Sequence, residues 1–61
     1  MNDDFSSFER LKQAGSDAER ACQAAANEGK DFFFQIRMLR AVYGLELGQA
    51  RDVAAQSNRK N

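Results

Sequence analysis

The sequence predicts an all-α protein: three or four short helices, packed as helical hairpins in a small bundle without a sheet. The 61-residue chain has no proline, so no residue interrupts a helix by removing a backbone donor. Apolar residues recur at spacings of three and four, as on one face of a helix. Four glycines punctuate this pattern. We predict helices over about residues 3–14, 17–28, 31–43 and 47–57.

The first helix has an N-cap signal and a simple apolar face. Asp3 and Asp4 are residue types that cap helix N-termini. Phe5, Phe8 and Leu11 follow at i, i+3 and i+6, which places them on one side of a helix.

The second helix is expected to begin at a capping box and end at Gly29. In the box, Ser16 is the N-cap and Glu19 stands three residues later. A glycine after the last helical residue is a common C′ residue. One long helix through Gly15 fits almost as well, because one narrow seam connects Phe8, Leu11, Gly15, Ala18, Cys22 and Ala25.

The second and third helices differ in side-chain size. Between Lys12 and Asp31 the apolar residues are only alanines and Cys22, which bury little area but let another helix come close. The third helix has a stripe of large residues, Phe32, Ile36, Leu39 and Tyr43, and further apolar residues off it, Phe33, Phe34 and Met38. We expect the large residues to lie on the alanine face, and one of Phe33 and Phe34 to be exposed or covered by a second subunit.

The third helix is expected to end at Gly44 as its C′ residue. The fourth begins near Leu47 and has an inner face of Leu47, Ala50, Val53 and Ala54. The chain is thus one small helical domain: residues 1–29 form an alanine-rich support, residues 30–56 a helical hairpin, and residues 57–61 a polar tail.

Charge is divided along the chain although the net charge is zero. Residues 1–29 hold six acidic and three basic residues, and residues 30–61 hold six basic and three acidic residues. This asymmetry favours an acidic partner for the second half, or contact between two copies or between the two halves of one chain. The isoelectric point near 6.1 argues against a domain that depends on phosphate contacts.

Composition also indicates a small cytoplasmic protein without catalytic chemistry. Cys22 is the only cysteine, so no disulfide forms within the chain, and it is expected to be a small buried hydrophobe. The sequence has no histidine, no glycine-rich phosphate loop and no metal-ligand spacing. No cofactor or metal is expected. No apolar run approaches a membrane span, and no signal peptide is evident.

Residues 36–54, IRMLRAVYGLELGQARDVA, carry a family resemblance. They resemble the helix-turn-helix of the C-terminal domain of the bacterial ribosomal stalk protein, whose pattern runs roughly I-K-x-V-R-x-x-T-G-L-G-L-K-E-A-K-D-L-V. The match is gapless over about nineteen residues. The similar hairpin extends over about residues 32–55.

The resemblance implies a surface that binds a protein partner. In the stalk family these two helices recruit the translational GTPases through apolar and basic residues. The corresponding positions here are Phe33, Ile36, Arg37, Arg40 and Arg51. Arginine in place of lysine favours bidentate recognition of carboxylate or phosphate, so the partner need not be the same.

The departures restrict what the resemblance implies. The family domain has a three-stranded sheet behind its helices, and this chain has no room for those strands. Glu46 stands where the family has glycine, Gly48 where it has lysine, and Gln35 where it has an apolar residue. The resemblance therefore implies a shared helical hairpin and a shared way of presenting arginines. It does not imply a stalk protein, because no ribosome-anchoring segment is identifiable in the first thirty residues.

Two functions follow as hypotheses. The first is a non-enzymatic protein-binding module that docks to the translation machinery or another host complex, as a small phage-encoded accessory or inhibitor protein does; this is analogy. The alternative is a helix-turn-helix nucleic-acid binder with Gln49 and Arg51 on the reading helix. A plainer interpretation of the same residues is that the arginines are solvated surface charges and the phenylalanines belong to the core. Surplus phenylalanines also suggest a homodimer, or a monomer completed by its partner.

Overall fold

The computed structural model describes residues 4–59 and consists of four α-helices. They are α1 (Ser6–Gln13), α2 (Ala18–Asn27), α3 (Phe32–Val42) and α4 (Leu47–Arg59). No strand occurs within residues 4–59, which confirms the all-α prediction. The Cα radius of gyration is 10.2 Å. None of the helices in this range is long and apolar enough to span a bilayer.

The first 29 residues form two helices, not one. Gly15 has φ of +99°, in the left-handed region that glycine enters without a steric cost. The Ser16 amide donates to the Leu11 carbonyl at 2.9 Å and the Gly15 amide to the Lys12 carbonyl at 3.0 Å, the two bonds of a Schellman motif. This motif ends α1, so the narrow seam considered above does not continue as one helix.

The same motif follows α2. Gly29 has φ of +84°, and the Lys30 amide donates to the Ala25 carbonyl at 3.0 Å. After α3, Gly44 has φ of +66°. Both glycines thus occupy the C′ positions assigned to them from the sequence.

The N-caps differ from those predicted. Asp17, not Ser16, caps α2: its Oδ1 accepts from the Arg20 amide at 2.9 Å. Ser16 is engaged in the preceding Schellman motif, so the cap falls one residue later. At α1, Asp4 Oδ1 accepts from the Ser6 amide at 3.0 Å, and hydrogen bonds from Ser6 lower the pKa of this carboxyl. Phe5 is the N-cap residue of α1, and Asp3 lies outside the described residues.

The core draws on all four helices. Its members are Phe8, Ala21, Cys22, Ala25, Phe34, Ile36, Met38, Leu39, Val42, Ala50 and Ala54. The alanine face of α2 packs against both α3 and α4, so the large residues of α3 do not cover it alone. Small residues on α2 and α4 let these two helices approach closely.

The C-terminal helix extends beyond its predicted end at residue 57. Ser57 is buried, and its Oγ donates to the Glu19 carbonyl of α2 at 3.5 Å. Residues 57–59 are therefore part of α4 and not of a polar tail; residues 60 and 61 lie outside the described range.

Two long-range hydrogen bonds hold the end of α3 against the first half of the chain. Lys12 Nζ donates to the Val42 carbonyl at 3.1 Å, which satisfies an acceptor at the C-terminus of α3. Tyr43 Oη donates to the Ser16 carbonyl at 2.7 Å. The orientation of α3, and of the residues it exposes, is thus tied to the α1–α2 turn.

Candidate protein-binding face

The outer side of α3 has one aromatic and two basic residues in line. Phe33, Arg37 and Arg40 stand at i, i+4 and i+7, and all three are exposed. Asp31 starts the helix by accepting from the Phe34 amide at 2.8 Å through Oδ1. This cap fixes the rotation of the first turn. The three side chains therefore share one face of a regular helix.

Phe33 is a large apolar side chain left in water. It is 68% exposed, whereas its neighbour Phe34 is 8% exposed, as expected because consecutive residues on a helix point about 100° apart. Phe34 packs edge-on to Phe8, with ring centroids 5.7 Å apart. Phe33 instead forms a T-shaped pair with Phe32, with ring centroids 6.1 Å apart.

Two cations border the Phe34 ring. Lys30 Nζ lies 5.2 Å and Arg37 Cζ 6.0 Å from its centroid, within the range of cation–π attraction. This contact restrains Arg37 on the surface next to Phe33. Between residues 32 and 42 there are two arginines and no acidic residue, so the charged side chains that α3 itself contributes are all basic.

A depression of about 310 Å³ lies where α3 meets α4. Its lining consists of Phe32, Gly48, Arg51, Asp52 and Ala55. Gly48 and Ala55 are seven residues apart on α4 and thus lie on one side of it. Their small side chains leave space, and a Cβ added at Gly48 would meet no atom within 4 Å.

Phe32 connects the two parts of this surface, since it lines the depression and contacts Phe33. We call Phe32, Phe33, Arg37, Arg40 and the lining of the depression the α3–α4 face. Of the predicted partner-binding residues, Phe33, Arg37, Arg40 and Arg51 are exposed, and Arg51 lies in the depression.

Ile36 is the exception among the predicted residues. Its side chain is 8% exposed and belongs to the core, so it supports the face from beneath and is not available on the surface. Sequence reasoning missed Phe32, Gly48 and Ala55 as parts of one depression. The i, i+7 spacing of the two small residues was the available signal.

Leu47, in the first turn of α4, is a second exposed large hydrophobe, at 51%. It was predicted on the inner face of α4. Ala50 and Ala54 of that predicted face are buried and Val53 is half-buried. The short turn after Gly44 places the first residue of α4 outside the packed region.

Cys22 is buried next to a buried amide. Its Sγ donates to Gln35 Oε1 at 3.2 Å, and Gln35 Nε2 donates to the Lys30 carbonyl at 3.2 Å. Burial raises the pKa of the Cys22 thiol, which keeps it protonated and unreactive. Within residues 4–59, no three His, Cys, Asp or Glu side chains are grouped to hold a metal.

A second depression, of about 390 Å³, lies between α1 and the end of α3. It is lined by Glu9, Lys12, Gln13, Ala41 and Val42. Lys12 already donates to the Val42 carbonyl there. Lys12, the one basic residue of this depression, therefore has a structural role as a donor to the end of α3.

Comparison of the chain with family models, with curated proteins and with solved structures found no match.

Proposed function

We propose that this protein is a non-enzymatic, cytoplasmic protein-binding module that docks to a larger partner through the α3–α4 face. The observation that carries the proposal is the exposed ring of Phe33, next to Arg37 and Arg40 on a helix with no acid. Covering a phenylalanine side chain is worth about 1.5–3 kcal/mol. Aromatic residues and arginine are also the types that most often dominate protein interfaces.

The resemblance to the ribosomal stalk hairpin supports the same face. Four of the five residues that correspond to its recruiting surface are exposed here: Phe33, Arg37, Arg40 and Arg51. A component of the translation machinery, or of another host complex, is accordingly the proposed kind of partner. A small phage-type accessory or inhibitor protein would act in this way by occupying a host surface.

Binding is favoured over catalysis by the character of the two depressions. Both are open, and among their lining residues the titratable groups are carboxylates, a lysine and an arginine. Neither lining includes a histidine, a cysteine, a serine or a threonine, the side chains that most often act as nucleophile or general base.

Two kinds of molecule can cover the exposed Phe33 side chain: a different protein or a second copy of this chain. Sedimentation equilibrium at increasing protein concentration separates the two. A mass equal to one chain together with a cooperative thermal transition would contradict the homodimer, and a mass equal to two chains would support it.

The test of function is photo-crosslinking from two exposed positions. Phe33 is replaced by p-benzoylphenylalanine, and Ser7, exposed on α1, is replaced likewise as the control. In bacterial lysate we expect a discrete crosslinked protein from position 33 that is absent from position 7.

A second, charge-matched pair of variants accompanies this test. Arg37→Glu/Arg40→Glu reverses the charges on α3, and Arg10→Glu/Arg20→Glu makes the same change at two exposed arginines of α1 and α2. We expect the crosslink to be lost only in the first. Equal crosslinks from positions 33 and 7, or no crosslink from position 33, would contradict the proposed face. A crosslink from position 33 to nucleic acid alone would favour the helix-turn-helix alternative.

A further inference from the structure

We infer that two copies of this chain associate through α4 as a parallel, two-fold symmetric pair, in which Arg51 of each copy meets Asp52 of the other. The contact surface consists of Gly48, Arg51, Asp52 and Ala55, which we call the α4 row. This inference concerns the free protein and does not rest on the proposed function. The α4 row also lines the depression of the α3–α4 face, so a larger partner that fills the depression would displace the second copy.

The α4 row lies on the side of α4 that faces away from the core. Gly48, Arg51 and Asp52 are exposed and Ala55 is half-buried, whereas the α4 residues that belong to the core point to the opposite side. At about 100° per residue, Gly48 and Ala55 lie within about 20° of each other around the helix, and Arg51 and Asp52 lie about 50° to either side of them. The row thus has a centre of two small residues, a basic edge and an acidic edge.

The two charged residues of the row are open to a partner from outside the chain. Arg51 and Asp52 are consecutive on α4, and consecutive residues of a helix do not face each other, so they do not pair with each other. Neither forms an ion pair with another residue of the described range 4–59. One cation and one anion therefore stand on the two edges of the same exposed helix face.

A two-fold axis parallel to α4 makes this face complementary to itself. Such an axis brings the basic edge of each helix against the acidic edge of the other, so that the Arg51–Asp52 contact forms twice. In an antiparallel pair, the axis instead brings Arg51 against Arg51 and Asp52 against Asp52, and like charges placed together across an interface are unfavourable. The charges of the α4 row therefore favour a second copy of this chain in the parallel orientation.

The centre of the row lets the two helices come close. Next to the symmetry axis, Gly48 meets Gly48 and Ala55 meets Ala55 of the second copy. Gly48 lies within α4, and a Cβ added there would meet no atom within 4 Å, so no contact within the described range requires a glycine. Glycine inside a helix is less favourable than alanine, and close approach of a second backbone is one use that offsets this cost. The depression of about 310 Å³ is the space that the second helix enters.

The size of the contact sets its expected strength. α4 has 13 residues and is therefore about 20 Å long. A single pair of helices of this length buries less than the roughly 1,200 Å² of a stable interface. We expect a reversible dimer that forms on concentration and dissociates on dilution.

The experiment is sedimentation velocity of the intact protein between about 10 μM and about 2 mM, the range in which a weak dimer is populated. Arg51→Asp and Asp52→Arg are prepared singly, and Arg51→Asp/Asp52→Arg as the double variant. Arg10→Asp, at an exposed position of α1, makes the same charge change away from the α4 row. Gly48→Leu fills the centre of the row. Circular dichroism verifies that each variant folds.

We expect the unaltered protein, Arg10→Asp and the double variant to dimerise equally well. Each single charge variant should dimerise at least about tenfold more weakly, because both symmetry-related contacts become repulsive. Mixing the two single variants in equal amounts should restore the dimer, since every basic edge then meets an acidic edge. Gly48→Leu should also weaken the dimer at least about tenfold, because it holds the two helices apart.

A mass of one chain for the unaltered protein at every concentration would overturn this inference. So would a dimer that the single charge variants or Gly48→Leu form equally well, or a mixture of the single variants that stays monomeric. If position 33 captures a different protein while the unaltered chain is monomeric, the proposed function stands and the dimer inference falls. If the dimer responds to the charge variants as expected while position 33 captures no other protein, the dimer inference stands and the proposed function falls.

Discussion

Helices α2 and α3 have nearly the same length but use their buried faces differently. α2 buries Ala21, Cys22 and Ala25, whereas α3 buries six residues, most of them large. The small face of α2 allows the backbone of α4 to approach, with Ala50 and Ala54 on the other side. α3 fills the remaining volume with Met38 and Leu39, both without exposed surface.

The comparison shows why α3, in contrast to α2, has apolar surface left over. A helix that is apolar around most of its circumference cannot bury every side against three short neighbours. Once Phe34 is turned inward, Phe33 must face water. The same composition that gives α3 its share of the core therefore produces the candidate binding residue, and α2 has no such surplus.

The most severe way to disturb this arrangement is to remove volume from α3. Met38→Ala should lower the free energy of unfolding by about 2–5 kcal/mol, because a fully buried side chain leaves a cavity. A chain of this length has only about 3–9 kcal/mol in total, at roughly 0.05–0.15 kcal/mol per residue. Urea titration followed by circular dichroism measures the loss. Phe33→Ala on the same helix is the control and should change stability by less than about 0.5 kcal/mol; equal losses would contradict the assigned burial.

Adding volume to α2 tests its close packing. Ala25→Leu should destabilise the protein by about 1–3 kcal/mol, because Ala25 has no exposed surface and the larger side chain must displace its neighbours. Ala41→Leu, at an exposed position of α3, should be nearly neutral. Thermal melts of both variants give the comparison, and a stable Ala25→Leu protein would mean that α2 is loosely packed.

Two glycines around the α3–α4 turn should respond in opposite directions. Gly44→Ala should cost about 1–2 kcal/mol, because an alanine at φ of +66° is strained. Gly48→Ala should instead stabilise α4 by about 0.5–1 kcal/mol, since Gly48 is helical and the added methyl meets nothing within 4 Å. The urea midpoints of the two variants give the sign of each change in stability. The same sign for both would exclude this account.

The smallest expected effect is alkaline destabilisation. Burial raises the pKa of the Cys22 thiol above its ordinary value of 9.0 and that of the Tyr43 hydroxyl above 10.0. A pKa that is higher in the folded state gives stability that is complete below the unfolded value and is lost as the pH rises through the folded value. The urea midpoint should therefore fall above about pH 9, and less steeply in Cys22→Ala. An unchanged slope in that variant would rule out the thiol as a contributor.

Local signals in the sequence predicted the helical segments and most of their ends better than they predicted which residues form the surface. Gly29 and Gly44 identified two helix ends because a positive φ is a property of the backbone at one residue. The cap of α2 was wrong by one position, since Ser16 is used by the Schellman motif and by Tyr43. The last turn of α4 was assigned to a tail because its contact with Glu19 lies 38 residues away.

The sequence by itself predicted an all-α chain of three or four helices, the surplus of apolar residues on α3 and the division of charge, because periodicity, glycine and composition act over a few residues. Only the tertiary structure decided that Phe33 and not Phe34 is exposed, that Ile36 is buried, and that Phe32 and Arg51 line one depression. Those outcomes depend on how α3 rotates against α1, α2 and α4. That rotation is set by packing and by the long-range bonds of Lys12 and Tyr43, which no local pattern contains.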